Sequence, residues 1–158
     1  MKLAIASDLS GFPLKNYLLE HLTENHPDIE LLDFGIKSPE NPKPFFEQAG
    51  KVAKAIQSGA AQQGILVCGT GQGMAIAANK HKGIYAGLVT DPLSGERAKI
   101  INNANVITMG CWITAPVMGA QIVDSWLAVS FTEKMDSKKA FIIEAFNQVQ
   151  QIENEQFK

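Results

Sequence analysis

The chain has 158 residues, a length that fits one domain, and its 46% hydrophobic and 19% charged residues are ordinary for a globular protein. A net charge of −2 without a basic stripe argues against nucleic-acid binding, and no apolar run approaches the ~20 residues of a membrane span. The first apolar run soon meets Asp8, so we expect no signal peptide, and the two cysteines favour a reducing cytoplasm.

Short apolar runs alternate with stretches of helical periodicity along the first half of the chain. Leucines recur at helical spacing between positions 14 and 22, and Pro27 ends that predicted helix. The segment 35–44 contains three prolines and is predicted to be a loop. In chain order, the predicted elements are strand 3–6, helix 14–22, strand 30–34, helix 46–56 and strand 64–68.

The second half continues with helix 73–80, strand 83–89, helix 92–101, strand 105–109, helix 115–129 and a final helix 139–156. Nearly all-apolar strands that alternate with helices predict a parallel sheet covered on both faces. We therefore predict an α/β fold, a three-layer α/β/α sandwich with a Rossmann-like five-stranded parallel sheet. Residues 1–158 are expected to form a single domain, with a C-terminal helix in 137–158.

A glycine-rich turn follows the third predicted strand, where parallel sheets bind their ligands. In Cys68-Gly69-Thr70-Gly71-Gln72-Gly73, alternate glycines let the backbone bend and turn its amides towards one point, which favours an anion. No Gly-Lys-Ser/Thr follows, so the turn is not a Walker A motif. A glycine-rich turn alone is a weak indication of function.

Cys68 has two interpretations. The start of a helix can lower the pKa of a thiol and produce a base or nucleophile, whereas many free cysteines are simply buried core residues. Position alone does not decide between them. Cys111 is predicted to be core.

Acidic residues also follow two of the predicted strands. Asp91 precedes Pro92 and is best interpreted as a helix cap, which leaves Asp8 as the freer carboxylate. The three histidines lie outside the loops that follow the strands, so we assign them no catalysis. Trp112 and Trp126 are predicted to be packing residues.

These segments resemble the type B ribose-5-phosphate isomerase and galactose-6-phosphate isomerase family over about residues 2–125. The resemblance is carried by residues 7–15, by the turn with its continuation Met74 and Ala77-Ala78-Asn79-Lys80, by Thr90-Asp91-Pro92 and by residues 102–106. It implies an aldose–ketose isomerase that acts on phosphorylated sugars without a metal or cofactor.

The resemblance also implies residue roles. Cys68 would move a proton between C1 and C2 of the sugar. Thr70 and the amides from Gly69 to Gly73 would hold the enediolate oxygens, with the substrate contacts made by Asp8, Gly69, Gly71, Gln72, Gly73 and Asn102. Preorganised donors of this kind are typically worth ~3 kcal/mol each.

The sequence departs from the family at several positions. Leu9 and Ile101 stand where the family has histidines, and the histidine replaced by Ile101 is the one proposed to open the sugar ring. Trp112 replaces an arginine, the arginine pair before the last helix is replaced by Ser137-Lys138-Lys139-Ala140, and Phe45-Phe46-Glu47 replaces Tyr-Pro-Asp. Three interpretations stay open: an isomerase of a different, open-chain or short sugar, one subunit of a hetero-oligomer, or a sugar-phosphate-binding protein without turnover.

The final predicted helix has a broad apolar face that must be buried against something. It consists of Phe141, Ile142, Ala145, Phe146, Val149 and Ile152. A helix that covers its own sheet would explain the pattern. The family resemblance adds that the C-terminal segment reaches a neighbouring subunit, so we expect a homodimer or tetramer.

Overall fold

The five predicted strands form one parallel sheet in a computed structural model that describes residues 1–157. The order across the sheet is second, first, third, fifth and fourth strand, so the central strand is the third. The strands are β1 (Lys2–Ser7), β2 (Glu30–Asp33), β3 (Gln63–Cys68), β4 (Ala86–Leu88) and β5 (Val106–Gly110).

Helices connect successive strands and continue after the last one, as the alternation predicts. They are α1 (Phe12–Asn25), α2 (Phe45–Gln57), α3 (Gln72–Ala78), α4 (Pro92–Ile100), α5 (Pro116–Leu127) and, after the 3₁₀ turn Asp136–Lys138, α6 (Lys139–Gln156). Within residues 1–157, no helix combines the length and apolarity needed to cross a bilayer.

Side-chain alternation along the strands builds a separate core on each face of the sheet. In β3, Ile65 and Val67 join the core beneath α1 and α5, which also contains Trp126. Leu66 and Cys68 point to the opposite face and join the core beneath α2 and α3. The predicted three-layer architecture is confirmed, and its pleat fixes the face to which the Cys68 thiol points.

The fourth strand is shorter than the predicted 83–89. Gly83 has φ +78°, and the following amide of Ile84 donates to the carbonyl of His81, so this segment is a turn. The amide of Tyr85 donates to the side chain of Asn105 instead of to a strand. The pairing with β5 is limited to Ala86–Leu88, because the amides of Ile84 and Tyr85 donate to His81 and Asn105 instead.

A buried lysine fixes the loop that follows β2. Lys15 of α1 is 1% exposed, and its Nζ donates to Oδ2 of Asp33 and to the carbonyl of Ile36, both at 2.9 Å. Burial alone would raise the pKa of Asp33, but contacts from Lys37, Lys15 and the Gly35 amide hold that pKa below its usual range. The carboxylate therefore stays ionised and ties α1 to the start of the loop.

Helix α6 is attached to the rest of the chain along one side only. Ile142 is buried, the ring of Phe146 packs edge-on against Tyr85, and Glu153 accepts hydrogen bonds from the Tyr85 hydroxyl and the Gly83 amide. A groove of about 380 Å³ lies between α6 and the body. Much of the predicted apolar face remains exposed, with Phe141, Val149 and Ile152 among its members.

Candidate active site

The candidate site lies where the chain connections diverge, between β1 and β3. These strands are neighbours, but β1 continues to β2 on one side, whereas the chain from β3 continues towards β4 and β5 on the other. Ligands of open α/β sheets bind at the carboxyl ends of the strands beside such a divergence. The loop after Ser7 and the turn after Cys68 therefore share one crevice edge.

The two loops touch through their backbones. A Cβ atom at Gly11 would lie 2.2 Å from the carbonyl oxygen of Val67, so only glycine fits there. Asp8 supports the same loop, because its Oδ1 accepts the Gly11 amide at 3.0 Å. One oxygen of the Asp8 carboxylate thus has a structural role, while the group stays partly exposed at the crevice.

Cys68 is the last residue of β3, and its thiol lies inside the glycine turn. The residue is 6% exposed, and its Sγ accepts the backbone N–H of Gly71 at 3.1 Å. In the structure, Cys68 belongs to the core, and its sulfur also contacts one amide of the turn, that of Gly71.

The turn has its required shape because of Gly71, which has φ +80°. A Cβ atom there would also approach the Met109 backbone to 2.9 Å. Thr70 is partly exposed, and its Oγ1 receives a long contact of 3.4 Å from the Gln72 amide. Thr70, Gln72 and Gly73 are thus presented around the thiol on one short segment.

The loop between β5 and α5 completes this edge of the sheet. The amide of Cys111 donates to the carbonyl of Cys68 at 2.8 Å, and the amide of Trp112 donates to that of Gly69 at 3.0 Å. The Cys111 side chain packs against the core, as predicted. These bonds hold the turn from the side opposite to the Asp8 loop.

Trp112 corrects the prediction that both tryptophans are packing residues. Trp126 is buried in the core, but Trp112 is 73% exposed. Its ring lies against the turn, because a Cβ atom on Gly69 would meet the ring atoms at 2.9 Å. Phe45 flanks the other end of the turn, 3.0 Å from a Cβ placed on Gly73. The glycine turn is therefore bordered by two aromatic rings.

Asn102 lies at the opposite edge of the sheet from Cys68. It belongs to the connection between α4 and β5, and the carbonyl of nearby Asn105 pairs with Gly64, at the beginning of β3. Four residues of strand, about 13 Å at the usual rise, separate Gly64 from Cys68. One chain therefore brings Cys68, Thr70, the glycines and Asp8 together but does not bring Asn102 to them. Asn102 instead lines the groove beside α6.

Arginine is scarce in this chain, although Lys and Arg together number 14. The chain contains a single arginine, Arg97 of α4, and that guanidinium contacts the sulfur of Met135 at 3.6 Å and Glu96 at 3.9 Å. A clamp of several arginines, the usual bidentate recognition of phosphate, is impossible within this sequence. Asp91 is a helix cap as predicted, because its carboxylate accepts the Ser94 amide in a capping box.

Two features of the molecule were missed by the sequence reasoning. The first is the aromatic border formed by Phe45 and Trp112. The departures of the sequence from the family at these two positions could have indicated it. The second is a cluster of His21, His26 and Asp124 at the amino-terminal edge of the sheet. No local pattern identifies that cluster, because Asp124 is about a hundred residues from both histidines.

A parallel α/β sheet that holds a thiol inside a glycine turn, at a topological divergence, defines a Rossmann-like α/β protein. Residues 3–143 match the model of the family described as Ribose/Galactose Isomerase, and the chain belongs to that family.

Two relatives and one solved structure illustrate the similarity. The chain is 44% identical to 4-deoxy-4-sulfo-D-erythrose isomerase of Clostridium sp. (strain MSTE9), over 86% of this chain and 84% of that protein. It is 40% identical to ribose-5-P isomerase B of Listeria innocua, over 94% of this chain and 98% of that protein. The ribose-5-phosphate isomerase B structure from Clostridium thermocellum aligns with a TM-score of 0.88 and 31% identity, covering 98% and 99%.

Gly71→Ala tests whether the turn requires glycine for contact as well as for conformation. Gly59 has a similar φ of +76°, but a Cβ atom there would have nothing within 4 Å, so Gly59→Ala is the matched control. We expect Gly59→Ala to cost ~1 kcal/mol of unfolding free energy from the left-handed conformation alone. Gly71→Ala should cost about 3 kcal/mol because overpacking against Met109 is added. The unfolding free energies are measured by urea denaturation. Equal losses in the two variants would contradict the contribution of the Met109 contact.

Proposed function

We propose that the protein is an aldose–ketose isomerase in which Cys68 is the catalytic base. The observation that carries the proposal is the Cys68 thiol at the end of β3, where its sulfur accepts the Gly71 amide at 3.1 Å inside the turn. A protein that only binds a sugar does not need a thiol at this point. The family membership supports the same class of reaction.

In the proposed reaction, the thiolate of Cys68 takes the proton from C2 of an open-chain aldose. The electron pair moves to the C1–C2 bond, and the carbonyl oxygen becomes the oxygen of an enediolate. The same thiol then returns the proton to C1, while a proton shifts between the two oxygens, giving the ketose. We assign the developing charge to Thr70 and the amides of Gly69, Gly71 and Gly73, which belong to the turn that follows Cys68.

We assign no step of this reaction to a metal or cofactor, because a preorganised ring of donors can stabilise the enediolate by itself. Asp8 and Gln72 are proposed to position the sugar hydroxyls, since both lie at the same crevice edge and are at least partly exposed. We place the reaction in the cytoplasm, where two free cysteines remain reduced.

The substrate we propose is a four-carbon aldose with an anionic group on C4. Such a sugar has no free hydroxyl that can close a five-membered ring onto C1, so it stays open. The residues at the positions of Leu9 and Ile101 then need no acid–base function, which agrees with their apolar side chains. The relative named as a 4-deoxy-4-sulfo-D-erythrose isomerase acts on a sugar of this kind.

The charge of the chain favours a sulfonate over a phosphate at C4. A sulfonate carries one negative charge, whereas a phosphate monoester carries −1.5 to −2 at neutral pH. The single arginine already contacts Met135 and Glu96, so one copy of the chain offers no arginine pair for bidentate recognition of the more highly charged phosphate. The aromatic border of Phe45 and Trp112 favours a short substrate with few hydroxyls.

We further propose that two copies of the chain complete each site. Asn102 lies on the opposite edge from Cys68 and beside the groove of α6, so it can reach only the site of another copy. The exposed apolar face of α6, which includes Phe141 and Val149, supplies a surface for that copy. This arrangement supports the expected homodimer, in which the C-terminal segment packs on the neighbour.

The role of the thiol is tested by Cys68→Ala, with Cys111→Ala as the matched control. We expect Cys68→Ala to fold normally and to lose exchange of the substrate's C2 proton with deuterated solvent. The Cys111→Ala variant should keep exchange, because that side chain packs in the core. Exchange is followed by NMR, and near-wild-type exchange in Cys68→Ala would refute the assignment of the base.

The substrate proposal predicts how three sugars rank by kcat/KM when they are assayed with the purified protein. We expect kcat/KM for 4-deoxy-4-sulfo-D-erythrose to exceed that for ribose 5-phosphate at least ~100-fold, because a cyclic sugar loses acid–base assistance in ring opening. Ribose 5-phosphate should stay below ~10⁴ M⁻¹s⁻¹. Erythrose 4-phosphate separates the effect of chain length from that of charge. Equal activity on ribose 5-phosphate would overturn the proposal, and turnover of none without a second gene product would favour a hetero-oligomer.

A shared site predicts complementation between two inactive variants. Light scattering should report at least twice 17.1 kDa, and Cys68→Ala and Asn102→Ala should each be impaired alone. When the two are co-expressed, half of the dimers are mixed and hold one intact site, so about a quarter of wild-type activity should return. If each site lay within one chain, the mixture would stay inactive.

Truncation after Met135 removes α6. We expect the truncated protein to form smaller assemblies or to be insoluble.

A further inference from the structure

Three ligand-bearing side chains converge far from the Cys68 turn. His21 lies in the last turns of α1, His26 is the residue that ends this helix, and Asp124 lies near the end of α5. Their ligand atoms all lie within 4.8 Å of one another. The end of α1 and the end of α5 are both at the amino-terminal edge of the sheet, so the cluster takes no part in the site described above.

The two imidazoles meet on a single carboxylate oxygen. Nε2 of His21 lies 2.8 Å and Nε2 of His26 lies 2.7 Å from the same Oδ1 of Asp124. The rings are 6.0 Å apart, edge to face, so both nitrogens aim at one point from different directions. Two separate ion pairs would not share an acceptor atom. Here the side chains of His21, His26 and Asp124 surround one common position.

We propose that His21, His26 and Asp124 form a binding site for a borderline divalent transition-metal ion, with Zn²⁺ as the reference case. Zn²⁺ takes imidazole nitrogen and carboxylate oxygen at about 2.0–2.2 Å. Tetrahedral ligands at that range lie ~3.3 Å apart, so each nitrogen needs to move away from Oδ1 by only about half an ångström.

The surroundings of the cluster suit such an ion. The side chains of His21, His26 and Asp124 are 18%, 26% and 43% exposed, so the ion can enter and a water can complete the tetrahedron. Two neutral nitrogens with one carboxylate favour Zn²⁺, Co²⁺ or Ni²⁺ over Mg²⁺ and Ca²⁺, which prefer all-oxygen sites. The site carries one formal negative charge in its ligands, which attracts a divalent cation.

Asn25 can orient one of the ligands. Its Nδ2 lies 3.2 Å from Nδ1 of His21 and donates to the carbonyl of His21 at 2.9 Å. A metal-bound imidazole carries its proton on the other nitrogen and donates it to a neighbouring oxygen. A half-turn of the Asn25 amide would present its Oδ1 to that proton and would break the hydrogen bond that Nδ2 donates to the His21 carbonyl.

The proposed ion would fasten two helices rather than take part in chemistry. His26 and Asp124 are 98 residues apart, and the ion would join the end of α1 to α5 on one face of the sheet. Binding only to the folded chain raises the apparent stability with metal concentration. The expected consequence is a metal-dependent melting temperature with unchanged isomerase chemistry at the distant Cys68.

Calorimetric titration of the full-length, metal-free chain with ZnCl₂ tests the proposal, with His81→Gln as the matched control. His81 lies outside the cluster, so that variant should bind one Zn²⁺ per chain like the wild type. His26→Gln and Asp124→Asn should bind at least ~10-fold more weakly, and MgCl₂ should not bind. Circular dichroism checks that each variant is folded. Should His26→Gln unfold, the same comparison is made with His21→Gln and with Co²⁺ spectra of the wild type.

Cobalt identifies the ligands independently of stability. Co²⁺ bound by two histidines and a carboxylate gives weak visible bands without the intense near-ultraviolet band of a cobalt thiolate. We expect that spectrum in the wild type and in His81→Gln. A thiolate band would place the ion on a cysteine and overturn the proposal. Absence of Zn²⁺ binding to the wild type, or wild-type binding by Asp124→Asn, would equally overturn it and leave a cluster held by hydrogen bonds alone.

Discussion

The candidate site depends on direct backbone contact between loops at the carboxyl edge of the sheet. Gly11 lies against the carbonyl of Val67, Gly71 against the backbone of Met109, and Gly110 against that of Thr70. Any side chain at these positions would separate the loops, because its Cβ atom would come within 3 Å of backbone atoms. The position of the Cys68 thiol, and the direction of the Gly71 amide towards it, follow from this contact. The chemistry we propose therefore depends on the packing of these loops as well as on the thiol itself.

Local patterns in the sequence were sufficient to predict the layers, the five strands and the glycine turn. Apolar runs such as 64–68 favoured buried strands, and the alternate glycines that follow Cys68 indicated a tight turn. The strand order was not predictable, because buried runs carry no information about their neighbours. β4 was overestimated because the apolar residues Ile84 and Tyr85 continue its pattern, whereas their backbone forms a turn closed by Asn105.

The candidate site was predictable only in part, for a related reason. Asp8, Thr70 and the turn glycines all follow strands, so the rule that ligands bind at the carboxyl edge of a parallel sheet groups them without the strand order. Asn102 belongs to a connection at the other edge, and resemblance alone could not reveal that one chain keeps it away from Cys68. The cluster of His21, His26 and Asp124 depends on a contact between helices remote in sequence. Such contacts follow from the tertiary arrangement and leave no local pattern.

The exposed indole of Trp112 gives the molecule an optical property. The chain has two tryptophans: Trp126, in the core, donates its indole N–H to the carbonyl of Ala104, while Trp112 lies in solvent beside Gly69. The two indoles differ in emission wavelength and in their accessibility to soluble quenchers. A buried indole emits at shorter wavelength and resists quenching, whereas an exposed indole emits at longer wavelength and is quenched readily. The red component of the emission therefore arises at the turn itself. A ligand that covers the turn will change that component and leave the blue one as an internal reference.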